Sequence, residues 1–475
     1  MAVRKTIQVV PRARRTLTSL RNLGYDLRHA VADIVDNSVS AYATTVDVTL
    51  HFAGTRSWIR ISDNGHGMNA AELTEAFRYG SEREYDKTEL GRYGFGLKSA
   101  STSQCRKVTV ASRADTPGAT LEARQLDLGH VDQVDDWEIF DLAPEELPEA
   151  AYSALREGSG TVVLWEDLDH LLQYQDPTGG WAKKQLLAGA ADVDQHLGMV
   201  FHRFIAGEVP DRQPLRITVN GTPVEAWDPF CRNESSTTAL QEEDLEVRTR
   251  HGNGIVHLSP FILPPQNQFS SPDARKRASG PKNWNRQQGF YIYRGNRLIQ
   301  SGGWCRLRVL DEHVKLARIS LDFFPELDKA FGVNVAKASV TLPQELRDLL
   351  GPRVSTWSKV ADAVYRGKQP SNTPPKRSRP PRSVPTQQAP ASPSVPKSND
   401  PYRRDTPSNK PAHPYTPLPS PQASAASSQL PDTEPFLARQ ALEAAAAQTG
   451  ETEALSRIVS TLRSMSPEVA RDLGW

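Results

Sequence analysis

Two runs near the start of the chain, TTVDVTLHF (residues 44–52) and SWIRIS (57–62), carry an apolar residue at every second position, and they decide the architecture. Successive side chains of a strand point to opposite faces, so Val46, Val48 and Leu50, and likewise Ile59 and Ile61, line one side of a sheet and leave the other polar. A one-sided sheet must be covered. The cover lies just before it in LRHAVADIVDNSVSA (27–41), where Leu27, Ala30, Ile34, Ser38 and Ala41 fall within about 80° of one another on a helical wheel. Further strands are read at KVTVAS, ATLEARQLD and TVVLWE, and further helices at NAAELTEAF and from about Gly94. The expectation is a mixed sheet with helices on one face, a two-layer α+β domain.

The covering helix also carries three polar residues. Asn37 lies at one edge of the apolar stripe, Asp33 lies one turn away beyond it, and Asp36 falls further round, toward solvent. A solvated helix flank accounts for such a set, and so does a site at the border of a buried face. Three glycine-bearing stretches bear on that choice. SDNGHGM (62–68) ends a strand with Asp63 at its mouth; Gly65 and Gly67 permit close approach by a flat ligand, and Met68 can pack on a ring face. A polar turn also explains DNG. GRYGFGLKSAS (91–101) sets Gly91, Gly94 and Gly96 before a helix, so the backbone N–H groups of Phe95, Gly96, Leu97 and Lys98 converge as phosphate-holding loops require. It is not a Walker loop, since Leu97 separates the last glycine from the lysine, and it is not a dinucleotide fingerprint, since the order is GxxGxG after a polar loop. GSGTVV (158–163) opens a strand with the hydroxyl of Thr161.

Composition bounds the rest. With 57 basic and 56 acidic residues, no global field points to nucleic acid. Cys105, Cys231 and Cys305 follow no paired or metal-ligand spacing, which argues against a disulfide scaffold or a zinc site. The basic start lacks the apolar core of a signal peptide and no later run is long enough to span a membrane, so a cytoplasmic protein is expected. From about Pro370 to Thr433, Pro, Ser, Thr and Gln dominate, too little apolar surface to offset chain entropy, and a disordered linker is expected. Helical periodicity returns with Leu437, Leu442, Leu455, Ile458 and Leu462. The expected organisation is a first domain over 1–200 with an N-terminal arm, a second over 201–366 beginning near PLRITVNGTPVEAWDPF, a linker over 367–433 and a helical tail over 434–475 that docks protein partners.

The order and spacing of the helix 29–41 and the three glycine stretches resemble the Bergerat-fold (GHKL) ATPases, the superfamily of DNA gyrase B, the ninety-kilodalton chaperone, sensor histidine kinases and MutL. That resemblance implies ATP and Mg2+ as ligands. Asn37 would hold the magnesium, Asp63 would read adenine, Gly65, Gly67 and Met68 would shape the base pocket, and Gly91, Gly94, Phe95, Gly96, Leu97 and Lys98 would wrap the phosphates. Thr161 would support the Asp63 end, Asp36 would orient basic or polar neighbours, and the stretch 78–93 would close as a lid. Asp33 would be the general base at a position where most relatives carry Glu, so that either the helix sits closer to the phosphates, a water bridges, or hydrolysis is slow.

The second block, with GFYIYRGNRLIQSGGW and GVNVAKASVTLP, looks like the transducer domain of gyrase, MutL and MORC proteins, and the layout looks closest to prokaryotic MORC-like ATPases. By that resemblance Lys337 would reach the γ-phosphate, two copies would close on ATP, the N-terminal arm would cross to the partner, and the setting would be DNA modification or antiviral defence. A strand-end lysine is the plain alternative for Lys337. The segment 271–297 holds Arg275, Lys276, Arg277, Lys282, Arg286, Arg294 and Arg297 against Asp273, and with the basic linker run PPKRSRPPR it fits duplex DNA or a solvated basic loop. An ATP-binding interaction module with little turnover is the competing function.

Overall fold

The computed structural model describes residues 11–22, 25–79, 96–156, 158–174, 176–333, 340–367 and 452–465. The chain divides into two compact units, Met1–Ser378 and Arg379–Trp475. In the second unit the described residues form one helix, Thr452–Met465, within the expected tail. Apart from Gly367, the expected linker lies outside the described residues.

The alternating runs are strands. β1 (Thr45–His51) and β2 (Trp58–Asp63) pair antiparallel with Val48 opposite Ile61, and Val46, Val48, Leu50, Ile59 and Ile61 are all buried. They join β3 (Lys107–Arg113), β4 (Leu121–Asp127), β5 (Phe140–Asp141), β6 (Gly160–Glu166), β7 (Arg216–Val219) and β8 (Thr222–Pro223) in one sheet, ordered β5-β4-β3-β6-β2-β1-β7-β8. The core on one face joins strand residues such as Val110, Val163 and Trp165 to the helices α1 (Ala13–Arg21), α2 (Leu27–Ser40), α3 (Ala70–Phe77), α4 (Gly96–Thr102) and α5 (Leu128–Val134). The strand positions one residue along, Ala111, Ala123, Val162 and Leu164, face the other way. There Leu147, Leu155 and α6 (Glu149–Tyr152) cover them, so the expected two layers gain a partial third.

The expected boundary at residue 200 requires correction. After the 21-residue α7 (Gly180–Val200) and the short α8 (His202–Ile205), the chain returns to lay β7 parallel to β1, Val46 opposite Ile217. PLRITVNGTPV therefore completes the first sheet rather than opening the second block. A parallel neighbour needs a long crossover, and the local pattern of a strand does not show which edge it joins.

The second sheet contains β9 (Thr238–Ala239), β10 (Glu243–Thr249), β11 (Gly252–Ile262), β12 (Gly289–Arg294), β13 (Arg297–Ser301) and β14 (Ala317–Phe323), in the order β10-β11-β14-β12-β13 with β9 beside β11. β12 and β13 form a hairpin whose turn residues Gly295 and Asn296 both have positive φ, 54° and 69°, as a two-residue hairpin turn requires. Around this sheet run α9 (Pro272–Ser279), α10 (Asn283–Arg286), α11 (Asp328–Phe331) and α12 (Gln344–Tyr365), the last packing through Leu346, Leu350, Val354 and Trp357. Tyr291, Tyr293 and Leu298 of the hairpin belong to the core of the first sheet, so the two halves share one hydrophobic seam.

The N-terminal helix also departs from expectation. Ala13 and Leu17 of α1 are buried in the chain's own core, Arg21 Nη2 donates to both carboxylate oxygens of Asp169 at 2.6 and 2.8 Å, and Arg12 pairs with Asp135 at 3.0 Å. α1 is docked on its own domain, and residues 1–10 of the expected arm lie outside those described. Among the described residues no helix is long and apolar enough to cross a membrane, and the three cysteines are free, with Cys105 buried.

Candidate nucleotide site

Helix α2 begins where Asp26 accepts the His29 N–H at 3.0 Å, an N-cap that fixes its start. Its stripe of Ala30, Ile34 and Ser38 is buried as expected, and so are Asp33 and Asp36, while Asn37 is exposed. Asp36 therefore does not point to solvent. It is wholly buried, and Arg297 Nε donates to both of its oxygens at 2.9 and 3.0 Å. Asp33 Oδ2 accepts from the Tyr25 hydroxyl at 2.9 Å, and its Oδ1 lies 3.8 Å from Arg297 Nη2. Burial, with Asp33 beside it, pushes the Tyr25 hydroxyl well up, which keeps it a donor. Asp33 also faces the start of α4, where a Cβ added to Gly96 would sit 3.9 Å from Oδ2.

The floor of the site follows from strand parity. Ile61, Val110 and Val163 face the helices, so Asp63, Ser112 and Thr161, each two residues along, extend those three rows to the same end of the sheet. Asp63 Oδ1 accepts the Gly65 N–H at 2.9 Å and Oδ2 accepts the Ser38 hydroxyl at 2.7 Å. Burial pushes the Asp63 carboxyl up from its ordinary value, opposed by those donors and the backbone of Thr161. Ser112 Oγ donates to Gly160 O at 2.9 Å and accepts from Met68 N at 2.8 Å. Its one proton is thereby used, so at 2.9 Å it accepts from Thr161 Oγ1. Gly67 has φ +66°, and a Cβ there would fall 1.9 Å from Arg113 O; the turn admits glycine alone. Gly65 is packed against Ala41 at the end of α2, and Met68 packs beside the core.

The structure thus brings Asp33, Asn37, Asp63, Gly65, Gly67, Met68, Gly96, Leu97 and Thr161 around the end of the sheet beneath α2 and α4. Gly91, Gly94, Phe95, Lys337 and nearly all of the expected lid lie outside the described residues. Lys98 is the exception. Its side chain is 2% exposed, and Nζ donates to Ala76 O at 2.9 Å and Arg78 O at 2.7 Å, the carbonyls that end α3. Burial lowers its pKa to about 8. Its ammonium holds a helix C-terminus.

Sequence reasoning missed Ser112, Ser38, Tyr25 and Arg297. Parity alone marks Ser112, a hydroxyl on the buried row of a strand, as needing partners. Ser38 was assigned to the apolar stripe, and Tyr25 precedes the helix. Arg297 and Arg294 were counted in a basic surface segment, yet they are 2% and 4% exposed, and Arg294 forms two bonds to Asp328 at 2.7 and 2.9 Å. Lys282 Nζ donates to Ser301; Lys276, Arg277, Lys282 and Arg286 are exposed and Arg275 is half-buried. Among the described residues no group of three or more His, Cys, Asp and Glu gathers to hold a metal. The exposed carboxamide of Asn37 forms no side-chain hydrogen bond among them, which leaves its oxygen available to an ion that keeps most of its waters.

A mixed sheet with helices on one face, a carboxylate at its floor and an acid–amide pair on the covering helix define a Bergerat-type nucleotide fold. Residues 25–161 match the family described as histidine kinase-, DNA gyrase B-, and HSP90-like ATPase, and this part of the chain belongs to that GHKL superfamily. Among similar proteins is the DNA mismatch repair protein MutL of Xylella fastidiosa strain M23, 38% identical over 108 residues, 21% of this chain and 17% of that protein. MutL of Exiguobacterium sp. is 39% identical over 100 residues, 19% and 16% of the two chains. MutL of Neisseria meningitidis serogroup C is 33% identical over 107 residues, 22% and 15%. The match spans about a sixth of the length of these relatives.

Proposed function

We propose that this chain binds ATP with Mg2+ at the site beneath α2 and α4, hydrolyses it slowly, and uses bound ATP to close two copies in a process acting on DNA. The observation that carries the reading is the placement of Asp63 and Asp33 at two ends of one site. Asp63 accepts donors on both oxygens at the sheet floor, and Asp33 lies beside Gly96 at the start of α4. In this reading Asp63 accepts the exocyclic amine of adenine, with Gly67 allowing the base to approach and Met68 packing on its face. Asn37 supplies one oxygen to magnesium, which when bound neutralises phosphate charge. Asp33 takes the proton of the attacking water, and Lys337 contributes a cation to the γ-phosphate.

A second reading, an interaction module in which ATP acts as a conformational ligand, draws support from Asp33 itself. Its carboxylate already accepts the Tyr25 hydroxyl, and Asp is one methylene shorter than the Glu of most relatives, a retraction of roughly an ångström that can slow turnover about a hundredfold. Similarity to MutL and the basic residues of α9, with Lys276 and Arg277 exposed, support DNA as the partner, and the RGNRLI hairpin supports a MORC-like layout. The helical tail is proposed to dock other proteins. Single-turnover hydrolysis, ATP affinity and sedimentation of Asp33→Asn test the reading together. The variant is expected to bind ATP, to leave it intact and to sediment as a dimer with it; hydrolysis at the wild-type rate would remove Asp33 from the chemistry.

A further inference from the structure

We propose that Arg297, delivered by the hairpin of the second sheet, is the positioning residue that sets the carboxylate of Asp33. This rests on the reading of Asp33 as general base. The hairpin turn at Gly295 and Asn296 places Arg297 at the first position of β13, and its side chain enters the first domain to meet α2. There one guanidinium faces two acids of the same helix. Nε engages both oxygens of Asp36 at 2.9 and 3.0 Å, while Nη2 stands 3.8 Å from Asp33 Oδ1. All three residues are buried, at 2%, 0% and 2% exposure, where a nearby charge acts with little screening from water.

The geometry gives Arg297 two separable effects. Its pairing with Asp36 compensates a buried charge, a structural role. Its reach to Asp33 favours the ionised carboxylate that a base must be, and, with the Tyr25 hydroxyl on Oδ2, fixes which oxygen faces α4. A planar fork can serve both acids at once, whereas the single ammonium of lysine cannot. Any displacement of the second sheet against α2 then changes the placement of the base. The second domain thereby governs turnover through a residue that need not touch nucleotide.

Replacing both partners separates the effects. Arg297→Met with Asp36→Asn removes the buried charge pair while keeping the volume, so folding survives and the guanidinium beside Asp33 is gone. Thermal denaturation, ATP affinity and single-turnover hydrolysis are measured on the full chain, with Asp33→Asn in parallel. The double variant is expected to melt near the wild type, to bind ATP within about threefold, and to hydrolyse it about tenfold or more slowly, a loss confined to the chemical step. Should the double variant fail to fold, Arg297→Lys is read by the same criteria, since it retains a cation for Asp36 without the second reach. Wild-type hydrolysis in the folded variant, with Asp33→Asn inactive, overturns the positioning role and leaves the base intact. Wild-type hydrolysis in Asp33→Asn overturns the base reading itself, and the positioning role with it.

Discussion

Lys98 is the residue at which resemblance and geometry disagree most sharply, and Lys98→Met discriminates between them. Methionine keeps the buried length and removes the charge. In the folded chain, holding the Lys98 pKa at about 8 instead of 10.5 costs the charged form about 3 kcal/mol, while two bonds from a charged donor return about 1.5–3 kcal/mol each. The net loss in Lys98→Met at pH 7 therefore falls between about 0 and 3 kcal/mol, from the carbonyls of Ala76 and Arg78 left without this donor. The pH dependence adds a signature. Between pH 8 and 10.5 the unfolded chain still binds the proton that the folded chain has released, so this group makes wild-type stability rise with pH. The gap between wild type and variant widens by about 2 kcal/mol from pH 7 to about pH 9.5. Urea denaturation at the two pH values reads the gap, and nucleotide titration reads the site. If Lys98 ends α3 as described, ATP affinity stays within about threefold. A tenfold or greater loss of affinity, with unchanged stability and no widening, would refute the reasoning and return the ammonium to the phosphates.

Ser112→Ala strips an acceptor from Met68 N and Thr161 Oγ1 and a donor from Gly160 O, so it should destabilise the chain by about 1–3 kcal/mol and weaken ATP binding about tenfold, measured by thermal melting and equilibrium titration. Neutralising Arg275, Lys276 and Arg277 together should weaken duplex DNA binding uniformly across sequences and lower the slope of log affinity against log salt by about 2–3; a wild type that retains no DNA at low salt refutes that assignment.

What could be read from the sequence was what depends on neighbours close along the chain. Parity gave β1 and β2, the wheel gave the buried face of α2, and the family resemblance named Asp33, Asn37, Asp63 and Gly67, which lie on α2 and in the turn after β2. The failures have a common cause. Asp36 was assigned to solvent because its partner lies 261 residues away, and Arg297 to a basic surface because a charge count does not register the acid waiting for it. For Lys98 only the backbone N–H was read, after three glycines, while its ammonium ends α3 on the carbonyls of Ala76 and Arg78, partners about twenty residues back. Likewise the strand after α7 carries no local mark of the edge it joins.

That last strand has a consequence for how the protein is made. Thr218 on β7 bonds to Asp47 on β1 across 171 residues, so a ribosome that has finished α2, β1 and β2 must translate for roughly ten to thirty seconds more before the outer neighbour of β1 exists. Through that interval a nascent chain presents an unpaired strand edge, the surface on which other chains add most readily. Completion of the sheet under the nucleotide site is thus tied to synthesis of the segment leading into the second half. Demand for chaperones should fall on the nascent polypeptide more than on the finished one.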